Sequence, residues 1–172
     1  QSTAALSAAG FKLVTLANNH IMDYGESGLL STFKACQKFG IDYVGAGENI
    51  QKARKVYTTK VRDRTVAILN FAENEFSTTN GIDHGANPLD IVDNYRDIVE
   101  ARSIVDIVLV IVHGGHEMYD LPSPRIKNTL HFFAEAGATA IIEHHAHCYS
   151  GYEVYRGVPI FYGLGNFLFD IP

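Results

Sequence analysis

Apolar and polar positions alternate along this chain in blocks that predict strands and helices in turn. Residues 11–17, "FKLVTLA", form a short apolar run that breaks at "NNH", the pattern of a buried strand ending in a polar loop. From Ser27 the spacing of Leu29, Leu30, Phe33 and Cys36 follows a helical period, and Gly40 stands where a left-handed C-terminal cap belongs. "IDYVGAG" predicts a second strand. Two stretches rich in β-branched residues, at 56–61 and 65–71, flank the charged turn "RDR" and predict a hairpin. The polar segment "ENEFSTTNGIDHGANP" is long for a loop in a compact domain, and loops of that size are commonly functional or mobile.

After Pro88, Ile91, Tyr95, Ile98 and Val99 make a helical stripe, followed by "DIVLVIV", an apolar run suited to a strand covered on both faces. Ser123 as N-cap with Pro124 at the first helical position opens a helix that carries Ile126, Leu130 and Phe133 on one face and closes at Gly137. "ATAII" is the next strand, and "YEVYRGVPIFYGLGN" predicts a hairpin turning near Arg156-Gly157. This order of strands and helices predicts an α/β fold around a central sheet, in one domain spanning residues 1–172.

Three predicted strands end in histidine-bearing loops, "NNH", "HGGHE" and "HHAH". In α/β sheets such carboxyl-end loops are where ligands bind, because side chains from several strands converge there. Imidazole, carboxylate and amide oxygen are donors for borderline divalent metals such as Zn, Mn, Fe or Ni. In "HAH" the i, i+2 spacing lets His145 and His147 point to one side of an extended backbone, while His144 points elsewhere in a structural role. His113 ends an apolar run, where an imidazole needs a partner, and Glu117 follows past a Gly-Gly pair.

The other polar residues admit blander readings. Asp23 is either a site residue or a cap for the helix that follows, Glu143 is an acceptor orienting a histidine, and Asn166 is a left-handed turn residue. His116 and His131 read as surface histidines, His84 as a residue of the long loop without a defined role, and Cys148 as outside any zinc-type thiolate pattern. Composition changes the picture little. A formal net charge of -5, with 14 basic residues scattered along the chain, excludes a nucleic-acid binder, and two distant cysteines indicate no disulfide framework.

"TLANNHIMDYGESGL", "GAGEN", "VHGGHEMYDLPSP" and "HHAHCYSGYEVYRGVPIFYGLGNFLFD" together resemble the capsule-biosynthesis CapA family, also called the poly-gamma-glutamate synthesis proteins. That family is similar to the calcineurin-like metallophosphoesterases. The likeness implies a metallophosphatase-like sandwich of two mixed sheets flanked by helices, with a site for two divalent ions, Mn, Zn or Fe, at one edge. It implies Asn19, His113, His145 and His147 as metal ligands, His20 as a substrate-contacting proton donor, and Glu117 as ligand or base. The family's upstream Gly-Asp and Asn-Leu-Glu elements are not in this sequence, so the chain is expected to be an N-terminally truncated piece. The implied function is a metal-dependent hydrolase of a phosphoester or polymer amide bond in capsule biosynthesis, with a non-catalytic polymer- or partner-binding component as the alternative. A polyanionic polymer or phosphoester substrate, other capsule-assembly proteins and an extracytoplasmic, membrane-associated envelope location follow from the same likeness, with any membrane contact through the upstream segment.

Overall fold

A computed structural model of the chain describes residues 2–167. The chain packs as two compact units, one of Gln1–Tyr57 with Leu69–Pro88 and one of Thr58–Ile68 with Leu89–Pro172.

In the first unit, helix α1 (Ser2–Ala8) precedes strand β1 (Leu13–Thr15), helix α2 (Gly25–Phe39), strands β2 (Asp42–Val44) and β3 (Ala46–Gly47) and helix α3 (Ile50–Ala53). The helical period predicted from Ser27 is α2, which begins two residues earlier. It ends at Gly40, whose φ of 65° turns its N–H back onto the carbonyls of Cys36 and Gln37. β1 and β2 pair in parallel, with Val14 opposite Tyr43. Leu16, Leu29, Phe33 and Ala46 form one apolar core cluster of this unit, and Ala17, Ala72 and Ala86 form another.

"IDYVGAG" is two strands, not one, because Gly45 takes a φ of 92° between them. Asn70 lies where a Cβ at Gly45 would stand, and its Oδ1 accepts the N–H of Ala17 at 2.8 Å. The long polar segment is anchored. Its short strand β6 (Gly85–Ala86) pairs antiparallel with β3, and Ser77, Thr79 and Asn87 within it are buried. The amide of Asn87 donates to the Asn70 carbonyl at 3.1 Å, which pairs two buried polar groups.

The second unit holds most of a six-stranded mixed sheet of order β4-β5-β7-β8-β10-β9. β4 (Tyr57–Val61) and β5 (Arg64–Ala72) form the predicted hairpin, turning through Arg62 at a φ of 56°. Helix α4 (Ile91–Ile104), strand β7 (Ile107–His113), helix α5 (Pro124–Ala136), strand β8 (Ala140–His144) and the hairpin of β9 (Tyr152–Tyr155) and β10 (Val158–Phe161) follow. β7 and β8 run in parallel, as do β8 and β10. Val108, Val110, Val112, Ile126, Leu130, Phe133, Ile141 and Ile160 are fully buried.

Helix α5 begins as predicted: the Ser123 hydroxyl accepts the Ile126 N–H at 3.3 Å, Pro124 occupies the first turn, and Gly137 closes the helix at a φ of 115°. α4 differs from its predicted face. Ile91 and Val99 are 45% and 43% exposed, and the buried positions are Asn94, Ile98 and Ala101, an i, i+4, i+7 stripe. Ile98 is buried as predicted, but an alanine and an amide make up the rest of that face, so its apolar signal is weak. Tyr95 instead stacks on Phe132 of α5 at 4.7 Å.

His131 is not a surface histidine. Its ring is stacked on Tyr155 at 3.7 Å, and its Nε2–H donates to Glu153 Oε1 at 2.6 Å. The same oxygen accepts the Tyr162 hydroxyl at 2.5 Å, and Lys127 Nζ lies 3.4 Å from Oε2. This network ties α5 to the β9–β10 hairpin. The Tyr162 hydroxyl first, and then His131, lower the Glu153 carboxyl from 4.5 to about 2, while burial and that carboxylate push the Tyr162 phenol up. A carboxyl with a depressed folded-state pKa stabilises the fold above its unfolded value and loses that contribution as pH falls toward the folded one. Glu153→Gln is therefore expected to cost about 1–2 kcal/mol at pH 7. In thermal melts the gap from wild type should close between pH 4.5 and about 2, and a gap independent of pH would contradict the assignment.

Candidate metal centre

In the second unit β7 and β8 end level, with Val112 opposite Glu143 and His113 opposite His144. Parallel pairing in this register puts the two histidines side by side: their Nδ1 atoms are 2.9 Å apart, so one ring donates and the other accepts. Burial, reinforced by the charges of His145 and His147, lowers the His144 pKa to about 4, which keeps that ring neutral at pH 7. The structural role expected of His144 is this pairing with His113.

Beyond the strands the two loops remain hydrogen-bonded. Gly114 donates its N–H to the His144 carbonyl at 2.9 Å, and Met118 donates to that of Ala146 at 2.8 Å. The Cys148 thiol and the Ser150 hydroxyl both donate to the Tyr119 carbonyl, at 3.2 and 3.3 Å. Between these ties Gly115 passes over buried Glu143 at a φ of 92°, where a Cβ would come within 2.5 Å of Glu143 Oε1. Glu117 is thereby carried to His145, its Oε1 3.8 Å from Nε2 of a ring that is only 5% exposed. One ligand atom from each of Glu117, His145 and His147 lies within 4.8 Å of the others.

The two histidines of "HAH" converge by a different route from the one expected. β8 ends at His144, and an extended backbone does not continue past it. His145 takes a φ of 122° and His147 a φ of 59°, and these positive angles bring their ring centroids to 6.1 Å. Positive φ at residues other than glycine is uncommon and clusters at functional sites. The ring of His113 adjoins the group, with its centroid 4.5 Å from that of His145. A cavity of about 140 Å³ is lined by His113, His144, His145, His147 and Asn166.

Asn166 is not the left-handed residue of its turn. Gly165 takes that conformation, at a φ of 68°, and the Asn166 Oδ1 accepts the Nδ1–H of His147 at 2.8 Å. Sequence reasoning missed this role because the neighbouring glycines already explained the asparagine. His116 is exposed, as expected, with its ring edge toward Tyr119.

Asn19 and His20 belong to the first unit, in the turn after β1. Asn18 Oδ1 accepts the His20 N–H at 2.9 Å, and the Ser77 hydroxyl donates to the Asn19 carbonyl at 2.5 Å. His20 is exposed and donates from Nδ1 to Asp23 Oδ2 at 2.9 Å. Asp23 does not cap α2, whose N-cap is Tyr24 with no side-chain hydrogen bond. A His-x-x-Asp spacing across a turn is the signal for this pair. His84 lies 3.6 Å from Glu26 in the same unit.

Two imidazoles that line a small cavity and a carboxylate beside them, set on loops fixed by hydrogen bonds, fit a divalent cation of the borderline class. Residues 1–171 match the family described as Bacterial capsule synthesis protein PGA_cap. The chain belongs to that family. The Capsule biosynthesis protein CapA of Bacillus anthracis is 34% identical over 99% of this chain and 43% of its own length. The PGA biosynthesis protein CapA of Bacillus subtilis is 36% identical over 99% and 46%. A probable polyglutamine synthesis accessory protein of Mycobacterium tuberculosis is 29% identical over 96% and 47%. The chain thus spans less than half the length of these relatives.

Among solved structures, a sulfate thiohydrolase, SoxB, of Thermus thermophilus superposes with a TM-score of 0.63 at 12% identity, covering 95% of this chain and 29% of that one. A hypothetical protein, also of Thermus thermophilus, gives 0.61 at 17% identity, covering 93% and 56%. These likenesses show that the chain shares its α/β fold, a mixed sheet flanked by helices, with both structures.

Gly115→Ala tests the packing that carries Glu117 to His145. The added methyl group meets the Glu143 carboxylate at a backbone angle unfavourable to alanine, and the expected cost is about 1–3 kcal/mol in denaturant unfolding. Unchanged stability would show that the loop can shift freely.

Proposed function

We propose that this chain carries the metal site of a hydrolase in capsule or poly-gamma-glutamate biosynthesis, acting on a phosphoester or on an amide bond of the polymer. The convergence of Glu117, His145 and His147 supports this reading above all other observations. These three residues, with His113 beside them, would hold the ion; Mn, Zn and Fe all suit such donors. A bound divalent ion supplies Lewis acidity and makes water a nucleophile near neutral pH.

The chain's own groups supply the rest. His145, almost wholly buried, has its ring fixed by packing, and Glu117, half exposed, can accept a proton or a ligand bond beside it. The family likeness extends the proposal to Asn19 as an oxygen ligand and to His20 as the group that moves a proton to the leaving atom. Donation from Nδ1 to Asp23 orients the His20 ring and leaves Nε2 for that task. Association with a polyanionic polymer, with other capsule-assembly proteins and with the cell envelope belongs to the same proposal; among the described residues, no helix is long and apolar enough to cross a membrane.

A non-catalytic role is the second reading, favoured by the word "accessory" in the name of the Mycobacterium tuberculosis relative. Full-length protein decides between them. Metal content by elemental analysis and turnover of a phosphodiester and of a γ-linked glutamyl peptide are measured for wild type and His145→Ala. Loss of bound metal with at least a ~100-fold fall in turnover is expected. Metal retained and turnover equal in both proteins would overturn the hydrolase reading, and metal binding without turnover of any substrate would support the accessory one.

A further inference from the structure

The segment 163–166 lies tightly across the loop that carries His147. Ser150 donates its N–H to the Gly163 carbonyl at 3.1 Å, Tyr149 and Leu164 form an antiparallel bridge, and a Cβ at Gly163 would stand 3.0 Å from the Cys148 carbonyl. Gly165 then turns through a φ of 68° and delivers the Asn166 amide to His147. This placement is built by backbone pairing beside Cys148, so the asparagine oxygen is held against the imidazole and does not merely drift near it.

A carbonyl oxygen can only accept. The 2.8 Å contact between Asn166 Oδ1 and His147 Nδ1 therefore fixes the proton on Nδ1 and the lone pair on Nε2. We propose that Asn166 is a positioning residue for metal binding: it selects the Nδ1-protonated tautomer of His147 and holds the ring with Nε2 as the donor to a divalent cation. The inference rests on the metal reading above, and Asn166 itself touches no ion. Acceptors behind ligating histidines fix tautomer and ring orientation, and their loss weakens metal affinity by about 10–100-fold.

The left-handed backbone at His147 strengthens the need for such a device. With φ at 59° the side chain leaves the chain in an unusual direction, and it does so beyond the strand register that sets His113 against His144.

The test uses full-length protein in three forms: wild type, Asn166→Asp, which keeps the acceptor oxygen, and Asn166→Leu, which removes it. Histidine-labelled apo protein reports the tautomer directly through long-range ¹⁵N–¹H spectra, with His147 assigned by its absence in His147→Gln. Wild type and Asn166→Asp should show Nδ1–H at His147, and Asn166→Leu a mixture or Nε2–H. Titration with Mn²⁺ and Zn²⁺ should give affinities within about threefold for wild type and Asn166→Asp, and a loss of about 10–100-fold for Asn166→Leu at an unchanged melting temperature. If Asn166→Leu does not fold, Asn166→Ala serves in its place.

Nδ1–H retained without the acceptor, or metal affinity unchanged by its loss, would overturn the proposal. Wild type that binds neither ion would instead overturn the metal reading, while the apo spectra would still decide the tautomer.

Discussion

The parallel pairing of β7 with β8 is the constraint from which the candidate metal centre follows. Because His113 stands opposite His144, both strands end at the same level, and the loops that leave them start side by side. A one-residue slip would turn every side chain of β8 to the other face and exchange Glu143 for a neighbour in the core. Register here is strongly specified, since Val108, Val110, Val112 and Ile141 have no solvent exposure to trade. Two further hydrogen bonds, from Gly114 and Met118, carry the pairing beyond the last strand residues. The candidate ligands of this unit are thus placed by a sheet, although every one of them except His113 lies on a loop.

Much of the fold was legible in the sequence because the signals are local. Ser123, Pro124 and Gly137 bound α5, Gly40 ends α2, and Arg156-Gly157 turns the last hairpin, each by a backbone preference that needs no tertiary partner. The candidate site was legible only as a set of residue types, of which Glu117, His145 and His147 lie together. Their route was not. Extended backbone through "HAH" is the natural reading of an i, i+2 pair, yet the loop takes positive φ at both histidines, held from outside by ties to residues 118 and 119.

Other features were hidden for related reasons. Alternating histidines do not tell which ring meets which; that depends on register, and so the His113–His144 contact is a tertiary fact. The face of α4 escaped because Asn94 and Ala101 carry little hydrophobic signal. Gly45 split a predicted strand because Asn70, distant in sequence, occupies the space beside it. His131 read as a surface residue because Glu153 and Tyr155, its partners in hydrogen bonding and stacking, belong to a hairpin that only folding brings to α5.

The left-handed conformation at His147 also limits which residues can replace it. Side chains that tolerate that region best, besides glycine, are asparagine, aspartate and histidine itself. Two of these present oxygen where histidine presents nitrogen, and oxygen donors suit harder cations such as Mg²⁺, Mn²⁺ or Ca²⁺. Substitutions that spare the backbone at this position would therefore change the donor atom offered to a cation while leaving the loop conformation in place.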